Sequence, residues 1–280
     1  MSGTDFPLDD FSPPSVAYLK RRLAPLYRYF TPHFEGAENV DPSRPALFVG
    51  NHAIFGIIDS PLFMTELYAR TGVYPRSLGD HFHFTTPVWG PLLVRHGAVP
   101  GTRENCSALM NAGQFILVFP GGAREVAKRR GEQHRLVWKQ RTGFARMAIE
   151  HGYDILPFAS AGCDDAFRIR YDGNDFANSR LGRWLLANPA INDRLRGGDL
   201  FMPLTTGIGP TLLPRPEPFW FKVGAPISTA AYAGREDSPE ALWDLRQSVA
   251  DSINDMLRDL QSRRQRARDQ MPAWRRWLTR

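Results

Sequence analysis

The sequence is poor in cysteine and has no long hydrophobic run. Its two cysteines, Cys106 and Cys163, are not spaced as in known paired-cysteine motifs. The sequence therefore predicts neither a disulfide framework nor a thiolate zinc site. No stretch approaches the roughly 20 apolar residues that a membrane-spanning helix needs. Residues 1–10 lack the charged and apolar regions of a secretory signal. We therefore expect a cytoplasmic protein that does not cross a bilayer.

Two further signals are missing. No serine or cysteine lies in a G-x-S-x-G nucleophile elbow, so a serine hydrolase lacks its main signal. The chain has no internal repeat and no linker rich in glycine and serine, and 280 residues with 42% hydrophobic content can build one large core. We expect a disordered lead-in over residues 1–13, a single domain over 14–260 and a basic, tryptophan-containing tail over 261–280.

Positive charge is present in excess and is unevenly distributed. The net charge is +6, and seven arginines crowd residues 263–280 together with Trp274 and Trp277. Basic charge beside such aromatics suits an anionic membrane surface, although nucleic acid or a simple solvated helix would also accept it. A second basic, amphipathic helix is predicted over residues 15–30, with a kink at Pro25. We expect peripheral association with a membrane and no nucleic-acid partner.

Short apolar runs alternate with helical patterns along most of the chain. This alternation predicts an α/β fold in which helices flank a central, mostly parallel mixed sheet. The predicted strands lie near residues 45–50, 76–79, 97–100, 115–119, 154–158 and 219–224. The predicted helices lie near residues 15–30, 60–72, 87–96, 103–112, 142–151, 180–187 and 239–268. The remainder of residues 163–215 reads as irregular.

His52 follows a strand-like run and precedes an acidic residue, Asp59. A positioned imidazole can take the proton of a hydroxyl that attacks a thioester, and a carboxylate can orient that imidazole. Seven residues of continuous helix would separate the two by roughly 10 Å. A direct hydrogen bond therefore requires residues 53–58 to turn, which Gly56 allows. The alternative is a structural histidine and an aspartate that caps a helix.

A glycine turn follows the strand-like run at residues 115–119. Gly121 and Gly122 permit close approach of backbone amides to an anion or an oxyanion, and Arg124 adds a guanidinium suited to phosphate. Arg103 is a second candidate phosphate ligand. Carboxyl ends of parallel strands share one edge of a sheet, so the turn and His52 are expected to meet there. The combination indicates acyl transfer to a hydroxyl, with a phosphate-bearing substrate.

The segment Asp80-His81-Phe82-His83 carries side chains that can bind a metal. On a strand, alternate residues would face the same way. No third ligand stands at a suggestive spacing, so we expect no metal site.

Together these segments resemble the four ordered sequence blocks of the glycerolipid acyltransferases. The blocks are Asn51-His52 with its downstream aspartate, residues 97–103, residues 119–125 (Phe-Pro-Gly-Gly-Ala-Arg-Glu) and residues 155–158. The third is most similar to the branch that contains monoacylglycerol and diacylglycerol acyltransferases and plant phytyl ester synthases.

The resemblance implies a membrane-bound α/β acyltransferase domain with His52 as general base and Asp59 as its orienting acid. The substrate-binding residues that it implies are Gly97, Arg103, Gly121, Gly122 and Arg124. The implied donor is acyl-CoA or acyl carrier protein, the acceptor is a lipid hydroxyl, and neither a metal nor another cofactor is required.

The sequence departs from the family pattern at two places. Six residues separate His52 from Asp59 where the family has four, and Ile57 stands at the usual acid position. In the third block, Pro-Gly-Gly-Ala-Arg replaces the Pro-Glu-Gly-Thr-Arg of the phospholipid-making branch. The second change favours a neutral acceptor, such as diacylglycerol or a long-chain alcohol. The alternatives are a lysophosphatidate-type acyltransferase and a non-catalytic lipid- or membrane-binding protein on the same fold.

Overall fold

The structure, a computed structural model, describes residues 11–196 and 199–279, so most of the predicted lead-in over residues 1–13 lies outside the described residues. The described strands are β1 His33–Glu35, β2 Ala46–Gly50, β3 Arg76–Gly79, β4 Val99–Pro100, β5 Ile116–Val118, β6 Asp154–Ala161, β7 Arg168–Tyr171, β8 Leu204–Thr206 and β9 Trp220–Val223. The described helices are α1 Val16–Arg22, α2 Ala24–Phe30, α3 Asp59–Thr71, α4 His81–Thr85, α5 Trp89–Arg95, α6 Arg103–Asn111, α7 Gly122–Val126, α8 Gly143–Glu150, α9 Gly173–Asn178, α10 Arg180–Leu186, α11 Pro189–Leu195, α12 Pro239–Ala267 and α13 Ala273–Leu278.

Seven of the described strands form one sheet in the order β1-β9-β6-β2-β5-β3-β4. Neighbouring strands run parallel at every position except one, where β9 is antiparallel to β6. Helices cover both faces. The α/β class with a mostly parallel mixed sheet in a single domain is therefore confirmed.

Alternating side chains of the central strands point into two apolar clusters, one on each face of the sheet. In β2, Leu47 and Val49 point into one cluster and Phe48 into the other, as the period of two in a strand requires. The first cluster includes buried residues of α6, α8 and the 29-residue α12. The second includes residues of α2 and α3. Since both faces of β2 are buried, its sequence is continuously apolar rather than alternating.

The helical segment predicted over residues 15–30 is two helices, α1 and α2, which meet at Leu23. Proline at position 25 fits the first turn of α2, where its missing N–H costs nothing. The next helix begins one residue earlier than the sequence indicates. Asp59 is its first residue, and Ile58 precedes it without a side-chain capping hydrogen bond.

The sequence analysis treated the segment from Asp80 to His83 as a strand. In the structure it is the cap and first turn of helix α4. Asp80 caps α4, because its Oδ1 accepts a hydrogen bond of 3.1 Å from the backbone N–H of Phe82. A helix turns successive side chains by about 100°, so His81 and His83 do not share a face as alternate strand residues would. Among the described residues, no group of three His, Cys, Asp or Glu side chains is arranged to hold a metal.

The prediction that residues 163–215 are mostly irregular is wrong. Strands β7 and β8 form a two-stranded antiparallel sheet, and α9, α10 and α11 lie between them. These elements are short, so each carries little periodicity. A capping box in which Asp172 and Asp175 bond each other's backbone N–H starts α9.

The C-terminal basic segment is attached to the domain through its arginines. Residues 261–267 continue α12, and the buried Arg275 of α13 donates to Thr31 Oγ1 (2.8 Å) and to the Tyr29 carbonyl (2.6 Å). The domain limits at residues 14 and 260 stay predictions. No helix in the described ranges is both long enough and apolar enough to cross a bilayer.

Candidate active site

The carboxyl ends of β2, β3, β4, β5 and β6 lie at one edge of the sheet because these strands are mutually parallel. His52 follows β2, and Gly121 follows β5, the strand beside it. Arg103 follows β4. The sequence-predicted residues at positions 52, 103, 121, 122 and 124 therefore share this edge, as expected for ligand sites of open α/β sheets.

His52 and Asp59 are in direct contact despite the six residues between them. Nδ1 of His52 lies 3.0 Å from Oδ2 of Asp59, and the same oxygen accepts the backbone N–H of Ala53 at 2.9 Å. The intervening loop, residues 53–58, reverses at Phe55 and Gly56, which have φ values of +65° and +63°. The turn that the sequence required at Gly56 is present.

The electrostatics of this pair favour an ionised Asp59 that orients the imidazole. Burial alone would raise the pKa of Asp59, but the charge and hydrogen bond of His52 and the backbone N–H groups of Ala53 and Ser60 outweigh it and hold that pKa below its ordinary value. An ionised Asp59 accepts a proton-bearing Nδ1, which leaves Nε2 as the proton acceptor. The imidazole also stacks on Phe119, with 3.8 Å between ring centroids.

Two contacts fix the backbone on either side of His52. The Asn51 side chain is fully buried and clamps β2 to β6, since its amide donates to the Ser160 carbonyl at 2.9 Å and its oxygen accepts the Ser160 N–H at 2.8 Å. On the other side, the Ile54 N–H donates to Asp164 Oδ1 at 2.9 Å. The histidine thus stands between two backbone anchors.

Gly56 lies directly beside Nε2 of the His52 imidazole. A Cβ atom at this position would stand 2.4 Å from His52 Nε2, closer than any real contact. The positive φ of residue 56 also favours glycine. Glycine therefore permits the close approach of this loop to Nε2.

The glycine turn is held by an arginine that the sequence analysis missed. Arg141 Nη1 donates to the carbonyl oxygens of Pro120 and Gly121, both at 2.8 Å. The N–H of Gly122 donates to the Phe119 carbonyl at 2.9 Å, so that group is already used within the turn. No pattern in the sequence connects residue 141 with this turn.

Arg124 is buried in an ion-pair network rather than turned outward. Its Nη2 lies 2.5 Å from Glu132 Oε1 and its Nε lies 3.3 Å from Asp199 Oδ1. A role for this guanidinium as a phosphate ligand requires the network to open. Arg103 differs, because it is exposed at the first turn of α6.

Gly97 is not brought together with His52. It precedes β4 and so lies towards the amino end of that strand, where its carbonyl accepts Arg76 Nε at 2.8 Å. Its φ is +81°, and a Cβ atom there would stand 2.6 Å from the Phe11 ring. These two constraints account for the glycine structurally, and its role in substrate binding stays a prediction.

Sequence analysis also missed a buried charge pair beneath the loop of residues 53–58. Lys128, with no solvent exposure, donates to Asp164 Oδ2 at 2.6 Å. Burial opposes the charged lysine, but Asp164 and Glu125 raise its pKa above the ordinary value. Because Asp164 also anchors Ile54, this ion pair supports the loop that carries the His52–Asp59 contact.

Glu125 completes the buried cluster. It is fully buried, and neither of its carboxylate oxygens makes a hydrogen bond of normal geometry within the described residues. Burial raises the pKa of this carboxyl to about 7, against the opposing influence of Lys128 and His52. Its Oε2 lies 2.2 Å from where a Cβ of Gly121 would stand, so Glu125 occupies the space that a side chain at position 121 would take.

Glu125 is expected to make stability depend on pH. The folded protein keeps the Glu125 proton between the ordinary value of 4.5 and about 7, whereas the unfolded chain releases it. The free energy of unfolding should therefore fall as pH rises through this window, and Glu125→Gln should flatten the fall. Urea denaturation of both proteins at several pH values between about 5 and 8 measures the difference. An unchanged slope in the variant would contradict this assignment.

The chain is similar to one protein family and to several individual proteins. Residues 31–161 match the family described as Acyltransferase. The chain is 28% identical over 243 residues to phytyl ester synthase 1, chloroplastic, of Arabidopsis thaliana, a match that covers 80% of this chain and 34% of that protein. It is 33% identical over 150 residues to the "DGAT1/2-independent enzyme synthesizing storage lipids" of Bos taurus, covering 54% of this chain and 42% of that protein. The chain thus spans between a third and a half of the length of these relatives.

A solved structure has the same fold. The 1-acyl-sn-glycerophosphate (LPA) acyltransferase PlsC of Thermotoga maritima superposes with a TM-score of 0.55 at 14% sequence identity, covering 88% of this chain and 79% of that one. At this identity the likeness concerns the arrangement of sheet and helices.

Proposed function

Because the chain belongs to the glycerolipid acyltransferase superfamily, we propose that it transfers a fatty acyl group from a thioester donor to a lipid hydroxyl, with His52 as general base. The observation that carries the proposal is the 3.0 Å contact between His52 Nδ1 and Asp59 Oδ2, which leaves Nε2 as the proton acceptor. The donor is acyl-CoA or acyl carrier protein.

In the proposed reaction, Nε2 takes the proton of the acceptor hydroxyl as its oxygen attacks the thioester carbonyl carbon. The tetrahedral intermediate then breaks the carbon–sulfur bond, and the thiolate leaves with the proton that the imidazolium returns. Asp59 stabilises the imidazolium that forms between these steps. The sequence of steps involves no covalent acyl-enzyme, no metal and no prosthetic group.

We assign a neutral lipid as the acceptor, such as diacylglycerol or a long-chain alcohol. The support is the third sequence block, together with a relative whose name describes phytyl ester synthesis. Arg124, the block-three candidate for an acceptor phosphate, is engaged with Glu132 and Asp199. Such an acceptor resides in a membrane, and Ile57 and Phe82 are exposed apolar side chains near the His52 edge. We therefore place the protein peripherally on a membrane face.

The alternative of a non-catalytic lipid- or membrane-binding protein rests on the altered spacing between His52 and Asp59, which differs from the family pattern. The turn at Gly56 bridges that spacing, so the motive for a non-catalytic protein is removed. The other alternative, a lysophosphatidate-type acyltransferase, is tested by including lysophosphatidate among the acceptors of the assay.

The test is an acyl-transfer assay with two donors and three acceptors. Radiolabelled long-chain acyl-CoA and acyl carrier protein are each supplied with diacylglycerol, a long-chain alcohol or lysophosphatidate. Ester product from a neutral acceptor supports the full proposal, and product from lysophosphatidate alone would reassign the acceptor. Folded protein that forms no ester with any pair would overturn the proposed reaction.

A further inference from the structure

A cavity of about 720 Å³ lies beside the site, on the far side of β6. It is bounded by the C-terminal part of α12, by α13 and by the residues that lead into β1 and β9. We call it the arginine pocket, because the side chains that line it include Arg215, Arg264, Arg268 and Arg275.

The four guanidinium groups of the arginine pocket face two carboxylates, and one arginine engages both. Arg264 lies 2.6 Å from Asp165 and 3.1 Å from Glu217. The other three arginines donate hydrogen bonds to uncharged oxygens. Arg215 and Arg268 donate to the Thr279 carbonyl at 3.4 and 3.3 Å, and Arg275 donates to a hydroxyl and a carbonyl. Positive charge in this pocket therefore exceeds negative charge among the described residues.

Two of these arginines are also incompletely bonded. Arg215 and Arg275 are 8% and 7% exposed, and the Nε of each has no hydrogen-bond partner in the described ranges. Burial lowers the pKa of both guanidinium groups. Those Nε atoms are enclosed, so an anion would bind through the other guanidinium nitrogens that line the pocket, where four arginines stand against two carboxylates.

Two exposed tryptophans of α13, close to Arg275 in sequence, indicate where that anion comes from. Trp274 and Trp277 flank Arg275 in sequence on α13, and their side chains are 54% and 71% exposed. Tryptophan favours the headgroup level of a bilayer, where its ring is buried and its N–H stays wet. Exposed tryptophans beside a cationic pocket match a lipid surface better than a freely diffusing anion.

We propose that the arginine pocket binds the phosphate group of an anionic phospholipid, and so docks the protein on the membrane through a site separate from His52. Guanidinium groups match the phosphate geometry, and the two tryptophans enter the interface beside it. The site does not depend on the acyl-transfer reaction, so it can be tested by binding alone.

The experiment is sedimentation of the full chain with vesicles of phosphatidylcholine alone or mixed with phosphatidylglycerol. Wild-type protein should bind the mixed vesicles preferentially. Arg268→Gln, at an exposed pocket position, should weaken that binding about tenfold, the effect of losing one charge-assisted hydrogen bond. Arg215→Gln serves as a second variant if its thermal unfolding is unchanged.

Arg266→Gln is the matched control, because it removes the same charge two residues earlier, in the last turn of α12, at an exposed residue outside the pocket lining. The control should bind nearly as well as wild type. Equal weakening by Arg266→Gln and Arg268→Gln would mean diffuse attraction by surface charge, and would overturn the pocket assignment.

A calorimetric arm distinguishes a lipid from a soluble phosphate. Coenzyme A and inorganic phosphate are titrated into the wild type and into Arg268→Gln. Saturable binding of coenzyme A that Arg268→Gln weakens, without preference for anionic vesicles, would keep the phosphate chemistry but reject the membrane source. Absence of binding to vesicles, coenzyme A and phosphate alike would reject the pocket as an anion site.

Discussion

Asparagine in place of His52 is expected to lower kcat for acyl transfer by about 10²–10⁴-fold, the usual contribution of a general base. Asparagine is the informative replacement because its amide can still donate to Asp59 Oδ2, whereas it has no group at the position of Nε2. The buried carboxylate thus keeps a partner, and the fold should survive. The measurement is kcat for the best donor and acceptor pair, with thermal unfolding recorded in parallel.

Two further variants sharpen that result. Asp59→Asn should also lower kcat, because an amide N–H facing Nδ1 would place the histidine proton on Nε2 and abolish its basicity. His96→Asn is the matched control, since His96 ends α5 and bonds the Leu92 carbonyl, away from His52. A folded His52→Asn protein with the kcat of the control would contradict the mechanism.

Replacing Lys128 with methionine is expected to lower the free energy of unfolding by about 3–5 kcal/mol. The change leaves the carboxylate of Asp164, only 3% exposed, without its positive partner at 2.6 Å. The same loss should reduce kcat, because Asp164 Oδ1 holds the Ile54 N–H of the loop that follows His52. Urea denaturation measures the first effect and the acyl-transfer assay the second.

The matched control for Lys128→Met is Lys139→Met. Lys139 pairs with Asp199, but its side chain is 53% exposed, and exposed ion pairs contribute at most about 1 kcal/mol. The double variant Lys128→Met/Asp164→Asn should regain part of the lost stability, because it removes the uncompensated charge. Equal losses in Lys128→Met and Lys139→Met would mean that the buried pair does not support the loop.

The sequence predicted the parts of the fold whose signals are local. The apolar runs of β2 and β5 and the long amphipathic α12 are legible without coordinates, because burial on one or both faces imposes its own periodicity. The antiparallel orientation of β9 and its pairing with β1 could not be predicted from the sequence, because nothing within a strand identifies a partner from the other end of the chain.

The candidate site likewise has residues that local motifs predict and residues that meet only through the fold. His52 and the glycine turn stand in short motifs, so the sequence indicated them, and the bond to Asp59 required only that Gly56 turn. Lys128 and Asp164 meet across different elements, and a lone buried lysine has no sequence signature. The burial of a single residue cannot be predicted from composition. The ion pairs of Arg124 with Glu132 and Asp199 were therefore not predicted either.

The pairing of β1 with β9 has a consequence for how the protein is made. His33 pairs with Trp220, and Phe30 stacks on Phe219, so the first strand has no strand partner until most of the chain has been synthesised. At about 5–20 residues per second, that wait lasts roughly 10–40 s on the ribosome. Throughout it, an unpaired strand edge and an apolar aromatic surface are exposed to other chains. Aggregation through this edge is therefore favoured until β9 emerges and pairs with both β1 and β6.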